Sequence, residues 1–575
     1  MRAAIRSAGF SSLPGVLHAG AVERMSRPPV WSVVYDAKCK STWIDRFWAD
    51  YRSANVKVSN VNTHNIRAAI ELGCRTMSNV FNADDNDIPF FGSEVLPNPR
   101  LSFSMVHSES HVPGRHLNAL LNAEDAAGVS ISEEVIEKHA AAAFFSYSGP
   151  VPLPMNRDRV DGPIENFNDH NVREGMHALY ALVKYRNSDM AREVAESSIE
   201  FILDAWDPTN GWDREGITKN HGIRWTRETT FITGIGRAIG PLVKYYRATG
   251  SGKALELASL LAEKATSEFF LPDGSYDREK FGVHTHSTTC VMSSLAQLAD
   301  LTGDAALLER VRAFADNGLW EIRDELGWVI ESSADDVPPD KGEGNNTGDI
   351  VETDLILGRH GYPGYYQDAE RILRGHLLPS QLRDVDFVPK PANPADEDGL
   401  RRVRERHLGA FGFPAPYGHR PLGLERVSFN MDIVGGVVGT LCEVLREGVV
   451  KGPDGVRVNL LLDQDTPDAR VEAGTSSGRV SVTTRHAAPL WIRLARWADR
   501  ASLQVRGAED YRFLGDYLLV AQPEPGKPIS LEYPAARTDI VLAHRTRNIR
   551  TVLEGDAVVA MENFGADLTF FDLLD

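Results

Sequence analysis

Helical periodicity dominates the first three quarters of the chain. Apolar residues recur three and four positions apart in four similar segments, and each segment predicts a helix, a short turn and a second helix. These segments begin at Ala181, Pro241, Ser294 and Leu355. Repeated helix pairs with long loops before each first helix predict a closed (α/α) helical toroid better than an open solenoid, with six hairpins as the expected number.

The last of these hairpins follows a polar, glycine-rich run that begins at Gly342. Helical spacing resumes at Asp349, which predicts Asp349 as the N-cap and Glu352 as its partner in a capping box. Two interpretations of Asp349, Glu352 and Asp354 stay open. They are either capping residues with favourable charge at a helix start, or a carboxylate cluster for acid–base chemistry.

After about Lys451 the pattern changes to short alternating segments separated by turns. Alternation in stretches such as RVSVTT and LWIRL predicts an antiparallel β-sandwich. The stretch 383–427 is irregular and is interpreted as a long crossover or lid. The protein is therefore predicted to be multidomain, with a disordered leader (1–28), a mixed α/β segment that packs on the toroid (29–150), the toroid as catalytic domain (151–450) and the sandwich (451–575).

Composition and charge exclude several classes of partner. The net charge is −18 over 575 residues, which argues against binding nucleic acid through its phosphates. No apolar run is long enough to span a membrane. The four cysteines show no paired spacing, and the broken apolar run near the amino terminus is a poor signal peptide, which favours a cytoplasmic location. A homodimer is left open.

The loops that precede the repeated helices are rich in ionisable and aromatic residues. In a closed ring these loops lie at one end and converge, and charged groups beside an indole suit a sugar. The predicted catalytic residues are Glu352, Asp354, Glu228, Asp349 and Asp169. The predicted substrate-binding residues are His170, Arg224, Trp225, Arg227, His284, His286, Arg115 and His116. The expected ligand is an oligosaccharide or glycoside.

His284 and His286 form an HxH pair, which is a usable geometry for two metal ligands. No third ligand is fixed by local spacing. Histidines that hydrogen-bond or contact substrate are the favoured interpretation, and a metal at this pair is the less favoured alternative. We therefore expect no cofactor.

Three long phrases resemble the β-L-arabinofuranosidase superfamily, glycoside hydrolase family 127 and its relatives. They are HTHSTTCVMSSLAQLADLTGD, VETDLILGRHGYPGYYQDAERILRGHLLPSQL and PLWIRLARWADRASLQVRG, and the resemblance covers roughly residues 110 to 575. It implies a helical toroid followed by a β-sandwich, and activity on a glycosidic bond.

The family's catalytic motif is Glu-x-Cys at the start of a helix, with a Cys-Cys pair in a later glycine-led segment. In the family one later Cys is the nucleophile, and the Glu and cysteines hold zinc. Here the first motif reads Glu352-Thr353-Asp354 and the later segment runs from Gly435 to Thr440, so all three motif cysteines are absent. The resemblance therefore implies neither the family's nucleophile nor its zinc site.

Carboxylates remain as the chemical groups for hydrolysis. We predict cleavage of a glycosidic bond by a pair, with Glu352 or Asp354 as one member and Glu228, Asp169 or Asp349 as the other. One alternative is a polysaccharide lyase, in which His284 or His286 is the base, or a tyrosine takes that role, while Arg224 and Arg227 neutralise a uronic acid. The other is a non-catalytic carbohydrate-binding protein.

Overall fold

The structure is a computed structural model that describes residues 56–336, 338–473, 478–544 and 547–574. The predicted leader at 1–28 lies outside the described residues. The helices are α1 (Ile66–Met77), α2 (Val112–Ala127), α3 (Glu133–Ser146), α4 (Val172–Arg186), α5 (Asp189–Ala205), α6 (Arg214–His221), α7 (Ile239–Thr249), α8 (Gly252–Glu268), α9 (Arg278–Phe281), α10 (Thr285–Thr302), α11 (Ala305–Asp316), α12 (Gly344–Arg359), α13 (Gly364–Ile372), α14 (Val403–His407) and α15 (Ile433–Gly448).

The strands before the last ring helix are short. They are β1 (Phe81–Asn82), β2 (Ile88–Pro89), β3 (Gly92–Glu94), β4 (Arg100–Ser102), β5 (Met155–Asn156), β6 (Asn166–Phe167), β7 (Trp206–Asp207), β8 (Gly211–Trp212) and β9 (Arg224–Trp225). The later strands are β10 (Val449–Gly452), β11 (Gly455–Val458), β12 (Gln464–Asp465), β13 (Ala469–Ala473), β14 (Arg479–Thr484), β15 (Leu490–Arg493), β16 (Gln504–Arg506), β17 (Tyr511–Leu514), β18 (Tyr517–Val520), β19 (Pro528–Glu532), β20 (Arg537–Ala543), β21 (Asn548–Glu554), β22 (Ala557–Met561) and β23 (Asp572–Leu573).

Six helices contact one another in a closed order. Helices α2, α4, α7, α10, α12 and α15 each pack on the next, and α15 packs back on α2. Each has a second helix outside it: α3, α5, α8, α11 and α13 pack on their predecessors, and α1 packs on α15. None of the helices of the described residues is long and apolar enough to cross a membrane.

The helix pairs follow from local sequence signals. Helix α5 buries Ala191, Ala195, Ile199 and Ile202, a spacing that puts one apolar stripe against the inner helix. Helices α7 and α10 end at glycines with φ of 74° and 69°, a left-handed conformation that glycine adopts without a steric cost. These glycines, Gly250 and Gly303, are the predicted turn positions.

Helix α12 begins earlier than the polar pattern predicts. Its first residue is Gly344 and its N-cap residue is Glu343, so the predicted N-cap at Asp349 is wrong. The glycine-rich run becomes helical because it packs tightly on α15. A Cβ at Gly348 would lie 2.8 Å from the Thr440 hydroxyl oxygen, so close helix contact overrides the weak helix propensity of glycine.

Two five-stranded sheets follow the helices, as the change of pattern near Lys451 predicts. Their strand orders are β10-β11-β15-β18-β17 and β12-β13-β14-β19-β16. One apolar cluster draws on both sheets, with Val458 and Ile492 from the first and Val471 and Val482 from the second. All neighbouring strands in these sheets are antiparallel except β11 and β15.

The final strands, β20 to β23, form a separate four-stranded sheet. Its Leu542 and Leu553 belong to an apolar cluster that also holds Val80 and Phe90 from the amino-terminal part and Val388 from the irregular stretch. The stretch 451–575, which was predicted as one sandwich, therefore contains two separate groups of sheets. The stretch 29–150, which was predicted to pack on the toroid, contributes helix α2 to the ring itself. The sequence did not indicate this because the contacts that close the ring join distant residues.

Candidate active site

Polar residues gather where the ring helices begin. The amino-terminal ends of α2, α4, α7, α10, α12 and α15 bring together charged side chains and imidazoles at one end of the ring. The members of this cluster are His107, His111, Arg115, His170, Arg173, Glu174, Arg237, His284, His286, Glu343, Asn345, Asp349 and Asp432. We refer to these residues as the ring-end cluster.

Glu174 is the fully buried anion at the centre of the cluster. Its carboxylate is 2.8 Å from Arg237, 3.0 Å from Arg173 and 3.2 Å from Arg115. Burial opposes the charged form, but the surrounding positive charges, Arg237 first among them, hold the pKa of Glu174 well below its ordinary value. Glu174 therefore fixes three arginines in place.

Asp432 lies just before α15 and faces α2. Its carboxylate Oδ2 is 3.2 Å from His111 Nε2 and 3.8 Å from Arg115 Nε. Burial acts to raise its pKa, but the hydrogen bond with His111 and the charges of His111 and Arg115 lower the pKa of Asp432 to about 2. Helix α15 can approach this closely because residue 435 is glycine, where a Cβ would lie 2.9 Å from the Arg115 carbonyl.

The pKa of Glu343 is displaced in the opposite direction from that of Asp432. Its Oε1 accepts a hydrogen bond from Asn345 Nδ2 at 2.9 Å and lies 3.5 Å from His286 Nδ1. Burial, and then repulsion from Asp432 and Glu331, raises the pKa of Glu343 to about 8. The Glu343 carboxyl therefore carries a proton at neutral pH, while that of Asp432 is ionised.

Asp349 and Glu352 lie deeper, along the inner face of α12. Asp349 accepts a hydrogen bond from Thr289 at 2.9 Å and lies 3.4 Å from His286 Nε2. Burial raises the pKa of Asp349 to about 7, against the opposing charge of Arg173. Glu352, one turn further on, accepts hydrogen bonds from Ser293 and Thr440, both at 3.0 Å. Both carboxylates line a narrow cavity of about 30 Å³.

The imidazoles sit at the outer end of the cluster. His107 and His284 are partly exposed, and His111 and His170 are buried with their rings stacked 5.7 Å apart. Burial lowers the pKa of His107 and of His284 to about 3 and holds that of His170 well below its ordinary value. These three rings are neutral at neutral pH.

Asp354 does not join the cluster, although it was predicted beside Glu352. Residues two apart on a helix point to nearly opposite sides, so Asp354 faces outward. It lines a surface cavity of about 440 Å³ with Arg323 and Asp368. Burial raises its pKa, and repulsion from Asp368 adds to the effect.

Two other predicted carboxylates lie outside the cluster. Glu228 is exposed. Asp169 is buried, but its oxygens accept hydrogen bonds from Trp212 at 3.0 Å and Thr229 at 2.6 Å. Asp169 therefore joins two loops, and burial raises its pKa.

Several predicted binding residues make contacts that hold parts of the fold together. Arg224 lies 3.2 Å from Asp158 at the surface, and Trp225 packs edge to face on Phe167. His116 Nε2 hydrogen-bonds the Met431 carbonyl at 2.7 Å.

Arg227 is exposed. It is close enough to the outer imidazoles that its charge lowers the pKa of His284 further, after burial and the charge of Arg237. Arg115, His170, His284 and His286 lie in the ring-end cluster, and their role in substrate binding stays a prediction.

Two of the residues that the sequence prediction missed are close in sequence to ones it found. His111 is four positions before Arg115, and Glu174 is four positions after His170, so each pair shares one helical face. This spacing is the signal by which both could have been found. Arg237 and Asp432 had no such signal, because only ring closure brings them to the cluster.

The glutamate at the start of α12 differs from the one that the sequence motif placed there. Because α12 begins at Gly344, the glutamate at the helix start is Glu343, with Asn345 two residues later, and Glu352-Thr353-Asp354 lies in the helix interior. The free cysteines among the described residues are Cys74, Cys290 and Cys442, all buried. Burial raises the pKa of each thiol, to about 12 for Cys74, so the residues present do not fit a thiolate zinc site.

Comparison with known proteins gives similarity in three dimensions only. No family model matches the sequence. No curated protein matches it either. A GH127 β-L-arabinofuranosidase from Geobacillus stearothermophilus T6 is similar in structure, with a TM-score of 0.51, 16% identity, and 86% of this chain and 80% of that chain covered. A second GH127 β-arabinofuranosidase gives a TM-score of 0.51 at 14% identity, covering 90% of this chain and 82% of that chain. The chain therefore resembles the GH127 β-L-arabinofuranosidases in fold.

Proposed function

We propose that this protein is a glycoside hydrolase whose acid is Glu343 and whose anionic carboxylate is Asp432. The observation that carries the proposal is the opposite displacement of two pKa values within one buried cluster, about 8 for Glu343 and about 2 for Asp432. Carboxyl groups held in different protonation states at one pH are what cleavage of a glycosidic bond requires. The GH127-like fold supports the same reaction class.

The proposed reaction begins with transfer of the Glu343 proton to the glycosidic oxygen. As the bond from that oxygen to the anomeric carbon breaks, positive charge develops on the sugar ring, and the Asp432 carboxylate stabilises it. Water supplies the hydroxyl group that completes hydrolysis, and its released proton restores Glu343. Arg115, held by Glu174, positions Asp432 and favours its ionised form.

Unpaired polar atoms support a hydroxyl-rich ligand. Within the described part of the chain, Asp432 Oδ1, Asn345 Oδ1 and Arg115 Nε are buried without a hydrogen-bond partner. Buried polar groups are normally paired, so donors and acceptors left open in one cluster suit a bound sugar. The relatives of similar fold lead us to test β-L-arabinofuranosides first.

A polysaccharide lyase is the second candidate, and His170 favours it. Its Nδ1 donates to the Thr233 carbonyl at 2.7 Å, which leaves the Nε2 lone pair of a neutral ring as a base. Elimination would give an unsaturated product with a distinctive ultraviolet absorbance, whereas hydrolysis gives a saturated sugar. The homodimer and the cytoplasmic location stay predictions.

The test compares leaving groups in two variants. Glu343→Gln should lower kcat on alkyl glycosides by about 10²- to 10⁴-fold but have a small effect on nitrophenyl glycosides, because nitrophenolate leaves without a proton. Asp432→Asn should lower kcat on both, since the charge on the sugar is the same. Asp354→Asn is the matched control, because it removes a buried carboxylate outside the cluster.

Three outcomes would contradict this assignment. Full activity of Glu343→Gln on alkyl glycosides, together with loss in Glu352→Gln, would move the acid to Glu352. An unsaturated product would favour the lyase. Binding of glycans without turnover across a broad panel would make the protein a carbohydrate-binding one.

A further inference from the structure

We propose that His107, His111 and His170 form a binding site for a divalent transition-metal ion, with Zn²⁺ as the best fit. One ligand nitrogen from each ring lies within 4.8 Å of the other two. These residues are distinct from the motif positions at which the related family carries its zinc ligands. The proposal does not rest on the proposed hydrolase function, because metal binding is measured without substrate.

Hydrogen bonds on the far side of each ring orient the site. His170 Nδ1 donates to the Thr233 carbonyl oxygen at 2.7 Å. His111 Nδ1 donates to Asn171 Oδ1 at 2.9 Å, and that amide is fixed because its Nδ2 donates to a backbone carbonyl. His107 Nδ1 meets the Ser104 hydroxyl at 3.1 Å. Each ring thus has Nδ1 engaged by an oxygen, which makes Nε2 the metal ligand. On binding the ion, His111 would exchange its Nε2 hydrogen bond with Asp432 for the bond to the metal.

A carboxylate lies beside one of the three rings. Asp432 Oδ2 is 3.2 Å from His111 Nε2. Asp432 does not belong to the group of ligand atoms that lie within 4.8 Å of one another, so it is not counted as a ligand, and a water molecule completes the tetrahedral site. Three imidazoles match the ligand preference of Zn²⁺, and the soft thiolates of other zinc sites are not needed.

Charges of both signs surround the site, and Arg237 faces His170 on the positive side. The charges that face His107 are His111 and Arg227 on the positive side and Asp432 and Glu174 on the negative side. The partly exposed His107 ring gives the ion a path from solvent.

The experiment titrates the full-length protein, freed of metal by a chelator, with ZnCl₂ in competition with a chromophoric indicator. We expect one Zn²⁺ bound at this site. His107→Ala should weaken binding by at least about 100-fold, because it removes a ligand. Ser104→Ala should weaken it by about 10-fold, since a group that orients a ligand contributes less than the ligand itself.

Two control variants show which group of ligands holds the ion. His284→Ala removes a ligand from the neighbouring group of His284, His286 and Glu343, the other cluster of metal-type ligands among the described residues. His486→Ala removes a partly exposed histidine from the turn after β14. Both should retain binding at the proposed site. The visible absorption spectrum of bound Co²⁺ should be that of a four-coordinate ion with nitrogen ligands in the wild type. His107→Ala should not show this spectrum.

Loss of binding in His284→Ala with retention in His107→Ala would overturn the proposal, because the ion would then occupy the neighbouring group. Absence of binding to the folded wild-type protein would overturn it as well. Two bound ions, of which His107→Ala loses one, would support it. Circular dichroism confirms that each variant is folded, and His107→Gln replaces the alanine variant if it is not.

Discussion

Replacing Glu343 with glutamine should stabilise the protein, and the gain should grow with pH. Glutamine keeps the hydrogen bond from Asn345 Nδ2 because its amide oxygen takes the place of Oε1. It also removes an acid that must either keep a proton or be buried with a charge. The carboxyl is 7% exposed, so solvent screens that charge very little.

The magnitude follows from the displaced pKa. In the unfolded chain the group has its ordinary pKa of 4.5, and in the folded protein the pKa is about 8. Between these values the unfolded state releases its proton and the folded state does not, so the free energy of unfolding falls as pH rises through this window. At about 1.4 kcal/mol per pH unit, the cost approaches about 5 kcal/mol at pH 9 and is under about 1 kcal/mol at pH 5.

Urea unfolding of the wild type and Glu343→Gln at pH 5 and pH 9, with a chelator present, measures this difference. The variant should gain about 4 kcal/mol more at pH 9 than at pH 5. The same gain at both values would show that Glu343 titrates normally in the folded protein. That result would refute both the burial argument and the assignment of Glu343 as the acid.

Three further predictions follow from the site. Glu174→Gln should lower the free energy of unfolding by about 3–5 kcal/mol, because it leaves three arginines, two of them buried, without their shared anion; urea unfolding measures it, and the exposed Glu200→Gln should change little. Gly436→Ala should abolish turnover, because its Cβ would overlap polar side chains of the ring-end cluster, whereas Gly439→Ala, whose nearest atom is 3.6 Å away, should retain activity. Asp354→Asn should keep kcat within about twofold, measured on the same glycosides.

The helix pairs could be predicted from sequence because their signals are local. Apolar spacing shows which face of α5 is buried, and glycines such as Gly250 and Gly303 mark where helices end. The change from helical to alternating pattern near Lys451 likewise predicts strands after helices. These features depend on residues within a few positions of one another.

The site was predicted only in part, for a physical reason. His170, His284 and His286 could be found because polar loops precede ring helices, and ionisable groups stand out there. Asp354 could not be separated from Glu352, because which face of α12 points inward depends on the helix start.

What the sequence by itself determined is the helix pairs, the strands and the loops that carry the imidazoles. Only the tertiary structure decided which carboxylates join the ring-end cluster and how they are protonated, because the pKa values of Glu343 and Asp432 depend on burial and on charges from distant helices. Closure of α15 on α2 brings Asp432 to Arg115, and those residues are more than 300 positions apart. No local sequence pattern predicts that contact.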